Sequence, residues 1–221
     1  MYRLPPAVSS QSSSRASRAA LARTTLVVAT LASLFVVERA ESQTAAAPAS
    51  AWEFRLASGA FVPTGALRRS VKNADLSAAQ LSWAVRPSLA LTATLGWARS
   101  RDIASIDAPK LDVFTADLGV EARAGQWFEG RKVTFSPFVG AGAGAQSYNS
   151  RALNIAATNN AGAYGTVGGE LGMGRVGVRL EVRDYASGFK PLSGAGKSGM
   201  RNNVVAMIAL RFNHARPSAA K

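Results

Sequence analysis

The chain offers little to catalysis. It has no cysteine and one histidine, His214, which falls within the last eight residues. Without Cys there is no disulfide framework, thiolate zinc site or thiol nucleophile. With one terminal His, a His-based metal cluster or a Ser-His-Asp triad has almost nothing to work with. What remains is a set of carboxylates and guanidiniums: Glu53, Arg55, Asp117, Glu121, Arg123, Glu170, Arg179, Glu181, Arg183 and Arg211. These are five acids and five Arg, with no Lys among them. Asp117 and Glu121 have the makings of a general acid–base pair. The simpler chemistry for such a set is mutual neutralisation, because the planar fork of Arg matches a carboxylate and suits enclosed ion pairs. No residue pattern calls for a cofactor or a metal.

The elements that must carry these groups are strands. From Trp52 onward apolar residues recur at every second position, a period that argues strand rather than helix. The stripes are Trp52-Phe54-Leu56-Ala60-Val62, Leu81-Trp83-Val85, Leu89-Leu91-Ala93-Leu95-Trp97 and Phe114-Ala116-Leu118-Val120-Ala122. They continue as Val133-Phe135-Pro137-Val139-Ala141-Ala143, Val167-Leu171-Met173, Val176-Val178-Leu180-Val182 and Val204-Ala206-Ile208-Leu210-Phe212. That makes eight strands. Pro137 sits awkwardly in the fifth, since proline cannot donate to a central ladder. The expected connections are about 63–76, 86–88, 99–111, 124–131, 147–162, 174–175 and 186–201. Long and short ones alternate, so antiparallel strands would gather the long loops at one end, as in a transmembrane barrel.

Every one of the ten ionisable residues has the parity opposite to its strand's apolar stripe. A soluble secreted calycin-like barrel would turn the apolar stripes inward around a ligand. The other face here holds Gly, Ala, Ser, Thr and a balanced Arg/acid set, which fits an interior better than a wetted surface. Arg on the lipid side would cost roughly 2–4 kcal/mol near the midplane. The expected fold is therefore an all-β, eight-stranded antiparallel up-and-down transmembrane barrel. Its apolar face points outward and its lumen is rich in Gly, Arg and Glu, the glycines making room for Arg. Trp52, Phe54, Trp83, Trp127, Phe128 and Phe212 are expected at the periplasmic rim, and Trp97, Phe114 and Tyr185 at the outer rim, as two aromatic girdles.

Residues 1–42 read as a secretory signal peptide. They combine Arg3, Arg15, Arg18 and Arg23, an apolar run over 24–37, and small residues at a cleavage point after Ser42. The run is too short to span a bilayer as a helix. A linker over 43–50, a barrel over 51–213 and a periplasmic tail over 214–221 complete the organisation. The formal charge is +13, from 26 Lys+Arg and 13 Asp+Glu. The signal segment, with five Arg and two Glu, accounts for +3 of it. The ten lumen groups cancel. The long loops carry +5, from Arg68, Arg69, Lys72, Arg99, Arg101, Lys110, Arg151, Lys190, Lys197 and Arg201 against five Asp. Such a rim suits anionic headgroups. Nucleic acid is disfavoured as a partner, because the loops lack interleaved aromatics for stacking on bases.

Two stretches carry a resemblance, Ser136-Pro-Phe-Val-Gly-Ala-Gly-Ala-Gly144 and Gly172-Met-Gly-Arg-Val-Gly-Val-Arg-Leu-Glu-Val-Arg-Asp-Tyr185. With the terminal strand Val204–Phe212, they make residues 50–213 resemble the small outer-membrane β-barrel proteins of the OmpA/OmpX-like, eight-stranded kind. Val204–Phe212 is similar to the signal by which the barrel-assembly machinery recognises its clients, although Asn213–Lys221 follow the terminal aromatic. The resemblance implies Sec-dependent export to a bacterial outer membrane, contact with its lipid and lipopolysaccharide, and a monomeric state. It is nearly silent on activity. The expected function is a structural or interaction role at the cell surface, with a largely packed lumen and no catalysis. The alternatives are a narrow pore or small-ligand-binding barrel, a lipid-modifying outer-membrane enzyme, and the soluble calycin-like barrel.

Overall fold

The computed structural model describes residues 52–125, 127, 133–151, 157–173, 176–189 and 199–212. The expected signal segment, the linker, His214 and the tail lie outside these residues. The strands are β1 (Trp52–Thr64), β2 (Ala74–Arg86), β3 (Leu89–Arg101), β4 (Lys110–Arg123), β5 (Thr134–Ser150), β6 (Thr158–Met173), β7 (Val176–Phe189) and β8 (Gly199–Phe212). Each pairs antiparallel with its neighbours in sequence, and β8 returns to β1 to close the barrel. Closure leaves no unpaired edge, so every strand can satisfy its backbone within the wall.

Side chains alternate across that wall as the period of two requires. Leu118 is 70% exposed and Leu95 66%, whereas Arg179, on the inner face, is 1% exposed. Soluble proteins rarely show contiguous apolar patches beyond a few hundred Å². An outer surface ringed by Leu, Val, Ile and aromatics is a wall for hydrocarbon. The calycin-like alternative fails here, because it needs the same stripes turned inward. Trp52 stacks on Trp83 with ring centroids 5.5 Å apart near one end of the wall. Trp97 stacks on Phe114 at 6.4 Å near the other.

Three expectations need correction. The outer connections are shorter than the stripes suggest: β1 runs to Thr64 and β2 starts at Ala74, and β5 and β6 pair as far as Tyr148 with Thr158. Backbone ladders continue above the apolar belt on Ser, Asn, Gln and Gly, which carry no hydropathy period. Pro137 is accommodated where β4 ends. The Ala124 N–H donates to its carbonyl at 2.9 Å, and the return bond that proline cannot make would go to a residue already past β4. Tyr185 does not belong to the outer girdle. It shares the inward parity of Arg183 and is 4% exposed inside the barrel.

Candidate functional site

The lumen gathers the ten ionisable residues into one connected set. Asp117 accepts from Arg183 Nη1 at 3.2 Å, and Arg183 Nε reaches Glu181 at 2.6 Å. Arg179 lies between Glu181 at 2.9 Å and Glu121 at 2.5 Å. Arg123 links Glu121 at 2.7 Å to Glu53 at 3.2 Å. Glu53 pairs with Arg55, and with Arg211 at 3.5 Å. Glu170 pairs with Arg211, and with Arg55 at 3.6 Å. Arg55 and Arg211 are register partners across the β1–β8 seam, so the two carboxylates clamp a pair of like charges.

The local cause is alternation along single strands. Arg179, Glu181 and Arg183 stand on one face of β7, and Glu121 and Arg123 on one face of β4. Same-face neighbours are about 7 Å apart along a strand, within reach of an Arg side chain. Neutral groups complete the set. Gln80 Nε2 donates to Glu181 at 3.0 Å, Thr94 Oγ1 accepts from Arg183 at 2.9 Å, and Tyr185 Oη donates to Asp117 at 2.5 Å. From β5, the Phe138 ring lies 3.5 Å from the Arg179 guanidinium carbon. The potential acid–base pair Asp117 and Glu121 is thus held in guanidinium contacts. Among the described residues no group of three or more His, Asp or Glu side chains is placed to hold a metal ion.

Glycine serves this interior differently from the expectation. Gly119, Gly142 and Gly168 make room for the Tyr164 and Phe138 rings, Gly172 and Gly177 lie against the Arg211 guanidinium, and Gly59, Gly96, Gly140 and Gly144 press on neighbouring backbone or short side chains. Gly119 and Gly142 are register partners, and Tyr164, the next partner of Gly142, lies across both. A Cβ at Gly142 would meet the Leu118 carbonyl oxygen first, whereas one at Gly119 would collide first with the Tyr164 hydroxyl. Gly119→Ala should therefore cost about 1–3 kcal/mol by overpacking. Tyr164→Ala in the same chain should remove more than half of that increment, read as urea midpoints in lipid vesicles. Equal increments in both backgrounds would refute the ring as the cause.

Toward the outer end the lumen turns apolar. Phe61, Leu111, Val113 and Tyr148 project inward from the strands. Leu67 and Val71 join them from the first outer loop, at 0% and 2% exposure. A short 3-10 helix, Leu67–Arg69, folds that loop into the mouth. Ile103 N–H donates to Ser70 O at 2.9 Å and Lys72 N–H to Arg101 O at 3.1 Å, tying the loop to the end of β3 and the residues just past it. Sequence reasoning missed this plug. The available signal was two apolar residues four apart in an otherwise basic loop.

At the rim, Arg68, Arg69, Lys72, Arg99 and Arg101 are exposed, and Arg201 on β8 is half-buried. Lys72, Arg99 and Arg101 line one recess, while Arg68 and Arg69 do not. Lys190 and Lys197 lie outside the described residues.

No protein-family model and no curated protein matches the sequence. Solved structures do match in shape. Neisserial surface protein A is 12% identical, covering 76% of this chain and 99% of its own, with a TM-score of 0.53. The outer membrane protein OprG from Pseudomonas aeruginosa is 11% identical over 75% of this chain and 97% of its own, with a TM-score of 0.46. Ail, the attachment invasion locus protein of Yersinia pestis, is 12% identical over 72% and 98%, with a TM-score of 0.38. The wall, its register and the first of these likenesses agree on the fold: the chain is an eight-stranded, up-and-down transmembrane barrel of the kind built by small outer-membrane proteins.

Proposed function

We propose that this protein resides in a bacterial outer membrane and acts there as a closed barrel, through its surface rather than through its lumen. One observation carries the reading: the ion-paired set spans the barrel from β1 to β8, and the apolar plug lies above it. Eight-stranded barrels have interiors just wide enough for side chains to fill. Here the inner wall supplies charges in equal numbers of each sign, five carboxylates and five guanidiniums, so the set is balanced in charge. The five lumen carboxylates each contact at least one guanidinium, which suits a structural role better than proton transfer.

The test is conductance. Purified protein refolded into a planar bilayer should give no stable single-channel current, and Arg179→Ala should not open one of appreciable size. A large, steady current through the unaltered protein would overturn the closed-lumen reading in favour of a pore.

A further inference from the structure

The lumen set is satisfied unevenly. Three of its buried guanidinium nitrogens have no hydrogen-bond partner: Nε and Nη1 of Arg55, and Nε of Arg211. The two residues are register partners across the β1–β8 seam, at the end of the barrel where β1 begins and β8 ends. Arg55 is fully buried and meets Glu53 and Glu170 through Nη2 alone. A guanidinium has two forks, Nε with Nη2 and Nη1 with Nη2. Both are used elsewhere in this protein. Arg179 grips Glu121 through Nη1 and Nη2, and Arg151 grips Asp112 through Nε and Nη2. In Arg55 the shared nitrogen is occupied, so neither fork is free and three N–H groups remain as single donors. Leaving the N–H groups of a buried cation unmade is costly.

Depth divides the ten groups as well. Asp117, Glu121, Arg179, Glu181 and Arg183 have side chains at most 2% exposed, and they are three acids against two Arg. Glu53, Arg55, Arg123, Glu170 and Arg211 are two acids against three Arg. Apart from Arg55, their side chains are between 10% and 18% exposed. Water therefore reaches this second group from the short-turn end and stops at the first. Arg123 leans on Glu121 at 2.7 Å, but Arg179 already holds both oxygens of that carboxylate. The part of the lumen open to solvent thus has the surplus cation and the free donors together.

We infer that the short-turn end of the lumen holds a site for a small monovalent anion, a halide such as chloride, received by the free N–H groups of Arg55 beside the Arg211 guanidinium. Single donors favour a spherical ion over an oxyanion, which a guanidinium grips best by two parallel N–H groups. One negative charge matches the surplus, and an interior that side chains nearly fill leaves little room for a larger anion. Gln80 Oε1, on the register partner of Arg55, is also unpaired, and that acceptor makes water the competing occupant. The site is a dead end, because the enclosed group lies beyond it. A halide can be held in a barrel that conducts nothing, so the site does not depend on the surface role proposed above.

The probe is chloride. The full-length mature protein in zwitterionic lipid vesicles is unfolded in urea at rising sodium chloride, with ionic strength held by sodium gluconate, whose anion is too large to enter. The midpoint should rise with chloride and follow a binding curve, as for any ligand that favours the folded state. Arg55→Gln should weaken the apparent chloride affinity at least about 10-fold, the worth of a hydrogen bond from a charged group. The reading is the chloride response within each variant, so a lower starting stability does not imitate it. Glu170→Gln keeps every guanidinium and raises the surplus by one, so it should tighten chloride about 10-fold. Arg68→Gln with Arg69→Gln, at the opposite end, should leave the response unchanged. In crystals soaked in bromide, an anomalous peak should lie in contact with Arg55. A midpoint indifferent to chloride, or one that rises equally in every variant, overturns the inference and leaves water as the occupant. Unchanged affinity in Glu170→Gln overturns it too, even where Arg55→Gln fails to fold. Sulfate that stabilises as strongly as chloride at equal ionic strength overturns the halide. A protein that ignores chloride yet stays non-conducting sinks this site and leaves the closed-lumen reading intact.

Discussion

Arg179→Ala should lower the unfolding free energy by about 3–5 kcal/mol, the cost of stripping a buried charge pair of one partner. Arg179 is nearly fully enclosed and holds both Glu121 and Glu181. Its loss leaves two carboxylates facing each other without that guanidinium, and it removes the cation that lies against the Phe138 ring. Urea unfolding in lipid vesicles, followed by tryptophan emission, measures the change. Arg179→Met combined with Glu121→Gln and Glu181→Gln should recover most of the loss. Replacing a whole buried ion group by neutral residues of similar volume is often neutral or stabilising, whereas breaking it is not. A loss under 1 kcal/mol for Arg179→Ala would mean that water already reaches the set and that the lumen is not closed at this depth.

The second large effect tests the wall. Leu118 sits between the girdles, two residues from Val120, which is level with Leu91 and Trp83 through the register. Leu118→Arg should cost roughly 2–4 kcal/mol if hydrocarbon surrounds it. On a wetted surface the same change is worth within about 0.5 kcal/mol. Ile106→Arg supplies the control, since Ile106 is fully exposed on the β3–β4 loop and should tolerate the charge. Equal, small effects at both positions would remove the membrane from the argument.

Much of this architecture is legible in the sequence, for a physical reason. A membrane barrel must present hydrocarbon-compatible side chains on one face of every strand, so the period of two is enforced over the whole belt. The ten ionisable residues lie off that face, and their parity alone puts them inside. Their pairing is a different matter. Glu121 and Arg179 are brought together by the stagger of strands around the barrel, which no local pattern encodes. Alternation within β7 and β4 reveals the short-range contacts and hides the long ones. Above the belt the constraint lapses. Ser, Asn and Gly pair there as well as any residue, and the strand ends ran past the points where hydropathy stopped. Leu67 and Val71 were hidden for the same reason: a plug made from a loop leaves no period. Tyr185 departs in the opposite sense: it keeps the inward parity of Arg183, and its ring lies in the lumen rather than at the interface where aromatics gather.

The clamp at the β1–β8 seam bears on the order in which the protein is made. These are the first and last strands of the barrel, so their meeting completes it. When they meet, Arg55 comes opposite Arg211. Glu53 arrives with β1, but Glu170 must already be standing on β6, with Gly172 and Gly177 leaving the path from Arg211 clear. A seam without Glu170 would press the two guanidiniums together with half of their counter-charge missing. Closing this barrel is therefore an electrostatic condition on four strands, β1, β6, β7 and β8, as well as a backbone pairing of two.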